Sequence, residues 1–131
     1  MRAPLHLPED LPISDGLARF HPQGESTLLN AVERVAEVIG YCRERHIGKL
    51  LVNTTALTGI HVPTLVERFL LAEEWAMVAH GMVVVALVIA PEYIHSKKFG
   101  VKVATDLGLT IDVFTADSDA LAWLATVASP T

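Results

Sequence analysis

Two hydrophobic periods alternate along this chain. From Leu28 to Cys42 the apolar positions Leu28, Val32, Val35, Ala36, Ile39 and Cys42 recur at three and four residues. That spacing predicts a helix over about 26–45, with Glu33, Arg34, Glu37, Arg43 and Glu44 on its wet side. A short strand, Leu17 to His21, precedes it. Gly48 lets the chain turn into a second strand, Lys49 to Asn53. A second helix is expected over about 63–79, with Pro63 in its first turn, where a missing N–H costs nothing. Its apolar stripe is wide: Leu65, Val66, Phe69, Leu70, Ala72, Ala76 and Met77, extended by Trp75 and Val78. Glu67, Arg68, Glu73 and Glu74 are its solvent-seeking positions.

The stretch "MVVVALVI", Met82 to Ile89, has no polar alternation. Both of its faces are therefore expected to be buried, as in a central parallel strand. A third helix is predicted from an N-cap at Ser96 to a terminating Gly108, with Phe99, Val103 and Leu107 on one face. Gly100 and Ala104 beside them would allow close approach to the sheet. A strand over Leu109 to Phe114 and a helix capped by Asp117 or Ser118, carrying Leu121, Leu124 and Val127, complete the pattern. Residues 1–15, rich in Pro and Asp, read as an N-terminal arm or a short edge strand, and 16–131 as a single domain.

Strands alternating with helices imply an α/β fold of four β-α units around a mainly parallel sheet. Sequential strand order would put every helix on one face. The second face then needs the N-terminal arm, part of the first helix or a second subunit.

Composition sharpens this picture in three ways. The 131 residues are enough for one core, but 51% of them are hydrophobic and the mean hydropathy is +0.40. Such a chain is expected to hide apolar surface against a partner subunit or a ligand. The most apolar run, Met77 to Ala90, is broken by His80 and Gly81 and falls short of the roughly 20 residues of a membrane span. The N-terminus has no signal-peptide pattern, so a cytoplasmic location is expected. The net charge is −5 and the basic residues form only small groups, which argues against nucleic acid as a partner. The lone Cys42 has no internal disulfide partner and lies on the core side of its helix, where it reads as a small hydrophobe.

Four segments carry a family resemblance: "GKLLVNTTALTG" (48–59), "VVVALVIAPEYI" (83–94), "KFGVKVATDLGL" (98–109) and "VFTADSDALAWL" (113–124). With their spacing, the chain resembles the STAS fold of anti-sigma-factor antagonists and sulfate-transporter domains. The resemblance is closer still to the small bacterial STAS-like proteins that are also compared with Sec14 lipid-transfer domains. The resemblance covers roughly residues 16 to 126 and concerns packing more than activity. It implies a non-catalytic regulatory or protein-interaction domain, homodimeric, with a regulatory protein as partner. The alternative it implies is a small module for an apolar (lipid-like) or anionic ligand, at the C-terminal edge of the sheet or between helices two and three. STAS antagonists carry a phosphoacceptor in an Asp-Ser-Ser/Thr-Gly loop. Here that place reads "GIHVPTL", with Thr64 as the only hydroxyl at the helix start.

Candidate chemistry gathers where α/β folds usually bind ligands, beyond the C-terminal ends of the strands. The residues expected there are Asn53, Thr55, Thr58, His61, Thr64, Tyr93 and His95. Turn chemistry also explains the threonines, since Asn and Thr at a strand end bond nearby backbone. His61 and His95 share this edge while His46 and His80 end helices at the opposite one, so no metal cluster is expected. No nucleophile elbow, phosphate loop or dinucleotide fingerprint occurs, so neither an enzyme nor a cofactor is expected. Lys97, Lys98 and Lys102 either hold an anion or form a solvated face paired with Glu92 and Asp106. Phe69, Trp75 and Met77 on the second helix are the expected interface residues.

Overall fold

The computed structural model describes residues 11–130. Its main sheet has five strands in the order β1-β2-β4-β6-β7: β1 (Ile13–Ser14), β2 (Leu17–Phe20), β4 (Lys49–Asn53), β6 (Val84–Val88) and β7 (Ile111–Phe114). All neighbours are parallel except β1, which pairs antiparallel with β2. Of the expected arm, residues 1–10 lie outside the described residues, and 13–14 form this edge strand. A second, two-stranded parallel sheet joins β3 (Gly24–Glu25) to β5 (Leu57–Thr58). The helices are α1 (Leu28–Glu44), α2 (Leu65–Ala79), α3 (Phe99–Asp106) and α4 (Asp117–Thr126).

The three crossovers β2-α1-β4, β4-α2-β6 and β6-α3-β7 step along the sheet in one direction. Right-handed connection then requires α1, α2 and α3 to share a face. Their core residues, among them Val35, Ile39, Ala72, Trp75 and Ala104, pack with Leu50, Val52 and Val85. The alternate side chains Leu51, Val84, Ala86 and Val88 pack with Ala120 and Leu124 of α4. Strand β6 is thus buried on both faces, as its sequence predicts. Each buried Leu or Val stabilises the fold by roughly 1.5–3 kcal/mol relative to exposure.

The cover of the second face corrects an expectation. Among the described residues α4 covers it, and α1 lies on the other face. The handedness rule constrains helices that join two parallel strands. Helix α4 follows β7 and joins it to no further strand among the described residues, so the rule does not fix its face.

Helix starts differ from the sequence reading by local hydrogen bonding. Helix α2 begins after Thr64, not at Pro63: Thr64 Oγ1 accepts from Glu67 N–H, and the Glu67 carboxylate accepts from Thr64 N–H at 2.9 Å. This is a capping box. Helix α3 begins at Phe99 rather than after Ser96: Lys98 takes the N-cap position in the left-handed region (φ 49, ψ 50) with no side-chain cap, and the His95 ring accepts the Lys97 N–H before it. Gly108 does end it, at φ +94. Leu107, expected inward, is half exposed, and Ala104 points into the core instead. Gly100 lies against Arg68 of α2 and not against the sheet. At α4, Ala116 occupies the N-cap without a side-chain cap, and Asp117 lies in the first turn.

Cys42 is fully buried, as expected. Burial pushes its thiol from an ordinary 9.0 up to about 12. That rise lowers the thiolate fraction at mildly alkaline pH on the order of a thousandfold. A thiol reagent is expected to label native Cys42 at least a hundredfold more slowly than the urea-unfolded chain; equal rates would contradict the packing described.

Candidate functional site

The turn after β4 organises the C-terminal edge of the sheet. Asn53 is buried, and its Oδ1 accepts from both Thr55 N–H (2.9 Å) and Thr55 Oγ1 (2.6 Å). Its Nδ2 donates to Asp117 Oδ1 of α4 at 2.8 Å. The same Asp117 meets His21 Nε2 at 3.4 Å. The chain then turns through Thr54 to Leu57 and enters β5. Gly59 follows at φ +85, where a Cβ would lie 2.9 Å from the Ser26 carbonyl oxygen. Only glycine fits this close approach. Residues 24–26 and 56–59 are thereby laced together beside the edge.

Behind this edge the layer of α1, α2 and α3 is not filled. A pocket of about 150 Å3 opens between the three helices and the sheet. Helix α1 supplies Leu28, Ala31, Val32 and Val35; α2 supplies Leu71, Ala72 and Trp75; α3 supplies Gly100, Val101 and Ala104. Leu87, Ile111 and Val113 line it from the sheet. Where the helices converge, side chains as small as Ala31, Ala72, Gly100 and Ala104 leave the space open.

Polar groups gather at the strand-end side of the pocket. Thr54, Thr55, Arg68, Tyr93, His95 and Lys98 line it there. Arg68 Nη1 donates to the Tyr93 carbonyl at 2.9 Å, and Tyr93 Oη donates to the Ile60 carbonyl at 2.7 Å. These two bonds fix the loops at 60 and 93 to α2. Lys98 Nζ pairs with Asp112 Oδ1 at 2.8 Å, not with Glu92 or Asp106. His95 Nδ1 accepts the Lys97 N–H at 3.1 Å, so the proton of the neutral ring sits on Nε2.

The expected edge residues divide into three groups. Thr55, Tyr93 and His95 line the pocket. Asn53 lies behind it and carries the turn. Thr58, His61 and Thr64 are exposed outside it: Thr58 in β5, Thr64 as the α2 cap, and His61 with Nε2 3.0 Å from the Glu67 carboxylate. The Thr64 N–H and then His61 hold the Glu67 carboxyl below its ordinary value. That contribution to the cap is present above the ordinary carboxylate range and is lost as pH falls through the lowered value.

Of the expected interface residues, Phe69 and Met77 are exposed, at 42% and 69%. Trp75 is not: it is 4% exposed, donates its indole N–H to the Val32 carbonyl at 3.0 Å and forms a pocket wall. An indole with a backbone acceptor in reach is readily buried. Arg68, read as a solvent-seeking position, is half-buried at the pocket. Among the described residues no group of three His, Cys, Asp or Glu is placed to hold a metal ion, and no helix is long and apolar enough to cross a membrane.

Comparison of the chain with family models, curated proteins and solved structures gives no match.

Replacing Asn53 by Ala strands the Thr55 N–H and removes the tie to α4. A loss of about 1–3 kcal/mol in urea unfolding is expected. Asn53→Asp sets a carboxylate against Asp117, so its loss is expected to be larger at neutral than at mildly acidic pH, where one of the two protonates. A pH-independent loss would count against the Asn53–Asp117 contact.

Proposed function

We propose that this chain is a STAS-like binding domain that holds an apolar ligand in the pocket between α1, α2 and α3. One observation carries the reading: the pocket is walled by aliphatic side chains and Trp75, and opens at the strand-end edge among hydrogen-bonding groups. This is the usual make-up of a small-molecule site. The Sec14 side of the family resemblance agrees with it. Binding is favoured over turnover because two of the three hydroxyls that line the pocket are already donating, Thr55 to Asn53 and Tyr93 to Ile60, the third being that of Thr54. The Thr64 hydroxyl is likewise engaged, as the α2 cap.

Burial of about six methylenes contributes roughly 5 kcal/mol, which corresponds to a dissociation constant on the order of 0.1 mM. Ligand at ten times that concentration stabilises by about 1.4 kcal/mol, or roughly 4 °C in Tm for a domain of this size. Octan-1-ol and octanoate provide the test. At least one is expected to raise Tm by this amount in the wild type. Val101→Trp and Ala31→Phe, which fill the pocket, are expected to remove the shift. No shift with either compound, or a full shift in both filled variants, would refute the reading.

A second reading, compatible with the first, is association through α2. The helix lines the pocket with Leu71, Ala72 and Trp75, yet exposes Leu65, Val66, Phe69, Leu70 and Met77. With Val62 these form a stripe whose midpoint is Phe69 and Leu70. An antiparallel pair of α2 helices about a two-fold axis would bury both ends of the stripe at once. A regulatory homodimer is the expected species, with a solution mass twice 14.2 kDa. Leu70→Glu should shift it to monomer. A wild-type monomer at micromolar concentration would remove the dimer and leave the ligand site untouched.

A further inference from the structure

We infer that the ligand is a monoanion: a carboxylate on a short apolar tail, with its head group at Arg68 and His95. This rests on the pocket being an apolar-ligand site, and it specifies the head group.

The charge distribution is the first ground. The chain carries 15 acidic and 10 basic residues. Yet among the described residues no Asp or Glu lines the pocket, whereas Arg68 and Lys98 do. A pocket lined at random from this composition would favour acids.

The second ground is the state of each polar group. Lys98 is already neutralised by Asp112, whose Oδ1 also accepts the Val113 N–H at 2.8 Å. Arg68 has no carboxylate partner among the described residues. Its guanidinium is half-buried and held by the Tyr93 carbonyl through one N–H, out of the five that the group carries. The fork of a guanidinium matches a carboxylate in two parallel bonds. His95 adds a second donor, because its Nδ1 is engaged and its Nε2 therefore bears the hydrogen. One cation without a carboxylate partner among the described residues, with a ring N–H donor in the same pocket lining, suits a single negative charge. A phosphate, with close to two charges, would call for a second free cation.

The third ground is size. A closed apolar cavity of about 150 Å3 holds a six-carbon ring. A tail of about six to eight carbons, or one aryl ring, follows from that volume.

The test compares four head groups on one tail by isothermal titration: octanoate, octan-1-ol, octylammonium and octyl phosphate. In the wild type octanoate is expected to bind at least tenfold more tightly than octan-1-ol, and no more weakly than octyl phosphate. Octylammonium is expected to bind more weakly than octan-1-ol. In Arg68→Gln, which also loses the bond to the Tyr93 carbonyl, the ratio of octanoate to octan-1-ol affinity is expected to fall to about one. Arg68→Lys should retain part of the preference. Equal wild-type binding of octanoate and octan-1-ol would overturn the head-group assignment while leaving the apolar site standing. A tenfold preference for octyl phosphate over octanoate, or any preference for octylammonium, would do the same. The wild-type comparisons decide this even if Arg68→Gln fails to fold. Binding of none of the four would bring down the apolar site as well.

Discussion

A strand that is apolar on both sides has to be covered twice. In this molecule that strand is β6, with Val85 on the face of α1–α3 and Val84, Ala86 and Val88 on the face of α4. The rest of the architecture answers this constraint. Three crossover helices are forced onto one face by the handedness of parallel connections. The other face is left to the one helix that joins no further strand among the described residues. The short α4 meets Leu51 of β4 and Val84, Ala86 and Val88 of β6 with Ala120 and Leu124. Lys49 on β4 adds a polar tie by donating its ammonium to the Leu124 carbonyl.

The pocket belongs to the crowded face. Three helices lie side by side on the sheet, and their side chains decide whether the space between them is filled. Val32 and Trp75 close it from two directions, joined by the indole hydrogen bond. Alanines and Gly100 leave it open nearer the strand ends. The polar groups stand there for a separate reason: loops that follow parallel strands all emerge at one edge. An apolar chamber with a polar rim is therefore what this topology offers, and the choice of Arg at 68 gives the rim its sign of charge.

The elements were legible because their periods are strong. The strand Lys49–Asn53 agrees residue for residue, and α1 differs by a residue or two at its ends. Helix starts were less legible: α2 begins only at the Thr64–Glu67 capping box, and α3 begins after Lys98, whose backbone is left-handed and which provides no side-chain cap, a placement no local cap rule would select. The pocket was legible only as a location, the strand-end edge or the space between α2 and α3. Trp75 and Arg68 show why its lining was not. On a helix with so wide an apolar stripe, period alone does not separate the face toward the sheet from the face toward solvent. Trp75 was read outward and is buried; Arg68 was read outward and lines the pocket. Their placement is decided by partners distant in sequence, the Val32 and Tyr93 carbonyls.

Asn53 touches three parts of the molecule at once: the end of β4, the turn that carries Thr55, and the first turn of α4. The rim of the pocket and the layer that covers the opposite face of the sheet are thus fastened at one side chain. Sequence drift has unequal freedom around this edge. Segments 60–63 and 91–97 give the rim Ile60, Pro63, Tyr93 and His95 and have no tie to α4 among the described residues, so they can change shape without disturbing the back of the sheet. The turn at 53–55 cannot do so without loosening α4. Variation in the pocket mouth among descendants of this chain would arise from those two segments, around a fixed corner.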